Sequence, residues 1–266
     1  DFFLLAMDQL VNGAAKWHYM FGGQNNIPIT IRLIVGRGWG QGPTHSQSLH
    51  SWFAHIPGLK VVMPSSAKDA KGLLLSSIFD KNPVIFIEHR WLHNTTSNVP
   101  KKNYFIPLSS PKIINKGTDL TLISISYMTL EARRAINFLE KFNISIEHID
   151  LRTISPIQYR IIYKSIKKTG RVLVLDIGNT DFGVASEIIS SISINMHRYL
   201  KSPPCKIALP QVPTPTSYGL TKDFYPTSRN IILEIFKMLN KKIESKQIPS
   251  EKNFHDIPGD WFKGPF

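Results

Sequence analysis

The chain has 266 residues, 42% of them hydrophobic and 19% charged, with a formal net charge of +13. That mixture excludes a disordered chain and supplies core for one large domain or two ordinary ones. Its single cysteine, Cys205, excludes an internal disulfide framework and a cysteine-built zinc cage. It also points to a reducing, cytoplasmic setting.

In chain order, residues 3–17 carry Phe3, Met7, Leu10, Val11, Ala14 and Ala15 at helical spacing, and Gly22 and Gly23 stop the helix. Residues 27–35 form an apolar, β-branched run that predicts a strand buried on both faces. A glycine-rich loop, 36–42, follows. The pattern then predicts a helix over 48–55, a strand over 59–63, a helix over 66–79 capped by Ser66 with Asp69 in its first turn, and a strand over 84–88. The stretch 94–112 is polar and proline-bearing and reads as a linker. Beyond it come strands at 120–126, 145–150, 172–176 and 206–209, and helices at 129–142, 157–168, 184–193 and 227–241. Strands alternating with helices predict α/β architecture: two consecutive open, mostly parallel-sheet domains. The first unit offers three strands, so its opening strands are expected upstream of Asp1. No apolar run is long enough to cross a bilayer. The lysines are scattered rather than striped with aromatics, which argues against a nucleic-acid partner.

The densest chemical signal is the segment from Gly36 to Ser48, with glycines at 36, 38, 40 and 42 and His45 within Thr44-His45-Ser46-Gln47. Glycines after a parallel strand let backbone approach a ligand, and strand carboxyl ends are where α/β sheets bind ligands. An imidazole there can move protons near neutral pH. The spacing is neither the dinucleotide fingerprint nor a P-loop. On pattern alone the segment reads equally as a surface loop with an incidental histidine.

The run Gly42-Pro43-Thr44-His45-Ser46-Gln47-Ser48 is followed by Phe53-Ala-His-Ile-Pro-Gly-Leu-Lys-Val-Val-Met-Pro64, Asp69-Ala-Lys-Gly-Leu-Leu-Leu75 and Asp80-Lys-Asn-Pro-Val-Ile-Phe-Ile-Glu88. Together they closely resemble the beta subunits of thiamine-diphosphate-dependent 2-oxo acid dehydrogenases of the pyruvate, branched-chain and acetoin type. Asp8-Gln-Leu-Val-Asn12, Leu151-Arg-Thr-Ile-Ser-Pro156 and Phe262-Lys-Gly-Pro-Phe266 fit the same family. The resemblance implies a pyrimidine-binding domain over 1–98, lacking its N-terminal part, a linker over 99–116, a transketolase C-terminal domain over 117–243 and a C-terminal arm over 244–266. It implies oxidative decarboxylation of a 2-oxo acid with acyl transfer to lipoamide. The cofactor would be thiamine diphosphate, its magnesium held by an alpha subunit. The implied partners are that alpha subunit, a second copy of this chain at the centre of a heterotetramer, and a lipoyl-bearing acyltransferase.

Residue by residue, His45 matches the family's catalytic histidine, and Phe2 matches the aromatic that packs on the aminopyrimidine. A potassium ion would be held at Ile29, Ser77, Ile78, Asp80 and Asn82. Without the resemblance, Phe2 reads as a helix-core phenylalanine and residues 80–83 as an ordinary Asp-Asn-Pro turn. The family's activating glutamate would precede Phe2, so the isolated chain is expected to be inactive. Glu88-His-Arg-Trp-Leu-His93 departs from the family's usual ending of this strand, and His50, His55, His89 and His93 show no carboxylate partner at metal spacing. The alternatives are another thiamine-diphosphate enzyme of transketolase fold, or a non-catalytic assembly subunit.

Overall fold

The structure, a computed structural model, describes residues 2–36, 41–221, 223–249 and 262. Residues 37–40 of the glycine-rich loop, with Trp39, lie outside the described residues, as do Asp1 and most of the predicted C-terminal arm and terminal motif.

The chain opens with a short 3-10 turn, Phe2–Ala6, and a wider turn, Gln9–Ala14, that leads into α1 (Ala15–Met20). Strand β1 (Thr30–Val35) follows, then α2 (His50–His55), β2 (Lys60–Val62), α3 (Ala67–Ile78) and β3 (Val84–His89). The second half holds β4 (Lys112–Asn115), β5 (Leu120–Ser124), α4 (Met128–Leu139), β6 (Ile146–Asp150), β7 (Thr153–Ser155), α5 (Tyr159–Thr169) and β8 (Val172–Asn179). It ends with α6 (Val184–Met196), β9 (Cys205–Leu209), α7 (Tyr218–Thr221) and α8 (Ser228–Met238).

Two mostly parallel sheets result, in the orders β1-β3-β2-β7 and β4-β6-β5-β8-β9. Local chemistry accounts for many ends. The Ser66 hydroxyl accepts from Asp69 N at 3.2 Å and caps α3, and Thr227 with Asn230 forms a reciprocal cap on α8. Successive residues of β2 and β3 face opposite sides. Val61, Ile85 and Ile87 join one apolar core that continues through Leu122, Ile123, Leu173 and Ile177 of the second sheet. Val62, Val84 and Phe86 face Leu73 of α3 instead.

Three expectations change. Among the described residues β1 has a strand on one side alone, β3, and it is not buried on both faces: Arg32 and Ile34 are exposed. The segment read as a linker is structural. Ile106 and Leu108 cover the outer face of the first sheet, and Lys112–Asn115 forms β4, antiparallel to β6. Finally, β7 leaves the second half of the chain and pairs antiparallel with β2, so the first sheet gains a borrowed strand at that edge. It was missed because three residues beside a proline give no readable period.

Candidate functional site

His45 lies past the carboxyl end of β1, on the loop that leads into α2. Gly36 closes the strand with φ of +88°, and a side chain there would meet the His89 ring at 2.6 Å. His45 is exposed and shares a hydrogen bond with its neighbour, Thr44 Oγ1 to Nδ1 at 3.0 Å. The Phe2 ring sits 5.2 Å from the imidazole, tilted by 57°. Phe2 is 73% exposed and so is not a helix-core residue: its ring lies largely open beside the imidazole. Two residues distant in sequence thus make one aromatic and titratable surface.

The five residues matched to a potassium site gather at the opposite end of the first sheet. Register pairs Thr30 with Val84, which sets Ile29 beside the turn that enters β3, and the Ile29 carbonyl accepts Val84 N at 2.9 Å. Ser77 and Ile78 end α3, and Asp80 N donates to the Ser77 carbonyl at 3.2 Å. The Asp80 carboxylate accepts Asn82 N at 2.9 Å and Lys60 Nζ at 2.5 Å. Asn82 Oδ1 is buried with no hydrogen-bond donor among the described residues. Six residues of strand, roughly 17 Å, separate this cluster from the His45 end.

Sequence reasoning missed what lies beneath His45. His50, the first residue of α2, places Nε2 2.8 Å from Asp176 Oδ1 of β8, and both side chains are fully buried. The partners are 126 residues apart, and no local pattern links them. Burial alone would raise the Asp176 carboxyl. The His50 charge, its hydrogen bond and the Ala185 and Gly178 amides outweigh that and hold it below the usual carboxylate range. His89 stacks on Tyr127 at 5.1 Å and accepts Trp91 N through Nδ1 at 3.1 Å. Burial first, then the charges of His93, Arg90 and His50, pushes it down to about 3, so it is neutral at ordinary pH. Arg90, at the end of β3, donates to Gln41 and ties the strand end to the His45 loop. A cleft of about 1160 Å³ opens from Ser48 along α2 to β7 and α6, rimmed by Trp52, Tyr159 and Phe182.

Comparison with known proteins now bears on this geometry. Residues 1–95 match the transketolase pyrimidine binding domain and residues 110–231 the transketolase C-terminal domain. The acetoin:2,6-dichlorophenolindophenol oxidoreductase subunit beta of Bacillus subtilis is 36% identical over 91% of this chain and 70% of its own length. The chain belongs to the family of beta subunits of thiamine-diphosphate-dependent 2-oxo acid dehydrogenases. Pyruvate dehydrogenase E1 component subunit beta of Rickettsia conorii is 38% identical over 90% of this chain and 73% of its own length. The counterpart in Rhizobium meliloti is 40% identical, over 87% of this chain and 51% of its own length. A solved split-gene transketolase, described as an inactive beta4 tetramer, superposes with a TM-score of 0.68 at 19% identity, covering 90% of this chain and 73% of that one. That likeness speaks for the fold alone. No helix among the described residues is long and apolar enough to cross a membrane.

Proposed function

We propose that this chain is the beta subunit of the decarboxylating component of a 2-oxo acid dehydrogenase complex, with His45 as its proton-transfer residue. The observation that carries the reading is the pairing of an exposed imidazole with an open phenyl face at the carboxyl end of the first sheet. The donor set suits the thiamine diphosphate that the family uses. Phe2 offers a flat apolar face to an aminopyrimidine, and His45 a titratable nitrogen beside it. When bound, that cofactor supplies the electron sink for loss of carbon dioxide. This chain's share is orientation and proton transfer: Phe2 fixes a ring plane, Thr44 fixes the His45 rotamer through Nδ1, and His45 takes or gives a proton during acyl transfer to a lipoyl group. An alpha subunit would hold the diphosphate and its magnesium. A second beta copy and a lipoyl-bearing acyltransferase would complete a cytoplasmic assembly.

The oxygens around Asp80 suit a hard monovalent cation. Asn82 Oδ1 is a buried acceptor in want of a donor, and the end of α3 supplies carbonyls. Lys60 already neutralises the Asp80 carboxylate, so a potassium ion here would rest on neutral oxygens and stiffen the start of β3.

The test is His45→Ala in the full-length beta subunit that carries the activating glutamate, assembled with an alpha subunit and scored with pyruvate and branched-chain 2-oxo acids. Acyl transfer to lipoamide should fall by about 10²-fold or more, the usual worth of a positioned acid or base. Unchanged transfer would reject the role of His45. An alpha-bound chain that shows no thermal stabilisation by thiamine diphosphate would favour the assembly-subunit reading instead.

A further inference from the structure

We propose that His50 and Asp176 are positioning residues for His45: a buried hydrogen-bonded pair that clamps the loop bearing that imidazole onto the second domain of the same chain. The inference rests on the reading of His45 given above.

His45 itself has few contacts. Its ring is exposed and touches Thr44 and Phe2. Its place in space is therefore set by what holds the segment 42–50, and much of that hold comes from residues more than 120 positions away. At one end, Gly42 adopts φ of +71°, and a side chain there would lie 2.6 Å from Thr216 Oγ1. In the middle, Thr214 Oγ1 donates to the Ser46 carbonyl at 3.5 Å. At the other end, His50 meets Asp176.

The Asp176 carboxylate is itself fixed. Oδ1 accepts Gly178 N at 3.1 Å, and Oδ2 accepts Ala185 N at 2.9 Å, in the first turn of α6. The His50 ring lies so close to Gly178 that a Cβ there would stand 2.9 Å from Cε1. The imidazole thus has one place to sit, between a strand backbone and an immobilised anion.

A purely stabilising role does not account for this arrangement. Apolar residues of similar volume usually hold a fold as well as a buried pair of polar or charged groups does, because such groups must first be stripped of water. What the pair adds is direction: apolar packing tolerates sliding, whereas Nε2 must meet Oδ1. A loop that has to present a proton carrier to within a fraction of an ångström gains from that constraint.

The experiment compares Asp176→Asn, Asp176→Glu and His50→Gln with the parent, each made in the full-length beta subunit that carries the activating glutamate and assembled with an alpha subunit and thiamine diphosphate. Amide hydrogen exchange is followed across the chain, and kcat and KM for acyl transfer to lipoamide are measured alongside. Asp176→Asn should speed exchange in 41–49 by about tenfold while the centre of the second sheet keeps its protection. It should lower kcat by about tenfold to a hundredfold and leave the KM for the 2-oxo acid within about threefold. His50→Gln keeps an N–H donor and should lie between that variant and the parent. So should Asp176→Glu, which keeps the charge.

Unaltered exchange in 41–49 overturns the proposal, and so does a uniform rise across both domains, which would mark a general loss of stability. Should Asp176→Asn fail to fold, His50→Gln is read by the same criteria. The two readings fail separately. If His45→Ala keeps full activity while Asp176→Asn still loosens 41–49, the catalytic assignment falls and the clamp stands. If 41–49 stays protected, the clamp falls whatever His45 does.

Discussion

Strands β1 and β5 have similar apolar sequences and opposite surroundings. Leu120–Ser124 is buried at all five positions, at the centre of the second sheet. Thr30–Val35 is fully buried at Val35 alone, and Ile34 is 43% exposed. An apolar run therefore specifies a strand without specifying its place in the sheet. Among the described residues the second sheet draws all five strands from its own half of the chain, whereas the first draws three from its half and a fourth, β7, from the other. The first domain leans on the second, and the joint between them should govern how the whole chain responds to change.

The largest expected effect is at that joint. Arg152 reaches from the β6–β7 turn to Asp69 of α3 at 3.0 Å, with both side chains buried, and also donates to the Ser110 carbonyl. Burial raises the Asp69 carboxyl, but Ser66, Arg152 and Lys112 outweigh it and hold it below its ordinary value. Arg152→Ala would strand that anion and should cost about 3–5 kcal/mol in chemical denaturation. A loss below about 1 kcal/mol would show that the two domains are coupled by apolar packing alone.

The next test sets the two strands directly against each other. Ile123→Ala in β5 removes a fully buried side chain and should cost about 2–5 kcal/mol. Ile34→Ala in β1 should stay within about 0.5 kcal/mol, as for other surface positions. Equal costs would mean that a partner or an additional strand covers β1 in solution.

The smallest effect per step is a pH dependence, which accumulates over several pH units. Burial pushes the Asp150 carboxyl up to about 7; the Ser65 hydroxyl opposes this and the Asp69 charge adds to it. The folded chain thus holds that proton far more tightly than the unfolded chain, whose aspartates titrate near ~4. The contribution of Asp150 is complete below the unfolded value and is lost as pH rises through about 7, at up to ~1.4 kcal/mol per pH unit. Asp150→Asn should therefore gain in melting temperature over the parent chain between pH 4 and 7, then hold level. His89 and His148, both pushed down to about 3 by burial, act in the opposite sense as pH falls, but they cancel in this difference. A difference independent of pH would show that Asp150 is ionised throughout.

Local chemistry made much of the fold readable. The Ser66 cap, the β-branched runs of β5 and β8 and the glycines after β1 are each decided within a few residues. What could not be read depends on distance along the chain. Strand β7 exists because β2 offers it an edge, and β4 because β6 does; neither segment carries enough period of its own. At the site, the Thr44-His45-Ser46-Gln47 motif was visible, and so was Phe2 by family resemblance. The union of His50 with Asp176 was not, since the sequence near each residue contains nothing of the other. The exposure of β1 was unreadable for a related reason: hydrophobic content does not say which strands flank a run, and among the described residues β3 alone pairs with β1.

The borrowed strand also bears on how this polypeptide reaches its native state. During synthesis, β1, β2 and β3 emerge well before Thr153–Ser155, and until those three residues leave the ribosome β2 has no neighbour on its outer side. The nascent N-terminal half thus waits with an unsatisfied border, open to mispairing with other chains. Cutting the gene between the two halves would freeze that waiting period into a permanent condition, so the halves should prove far more soluble when made together than apart.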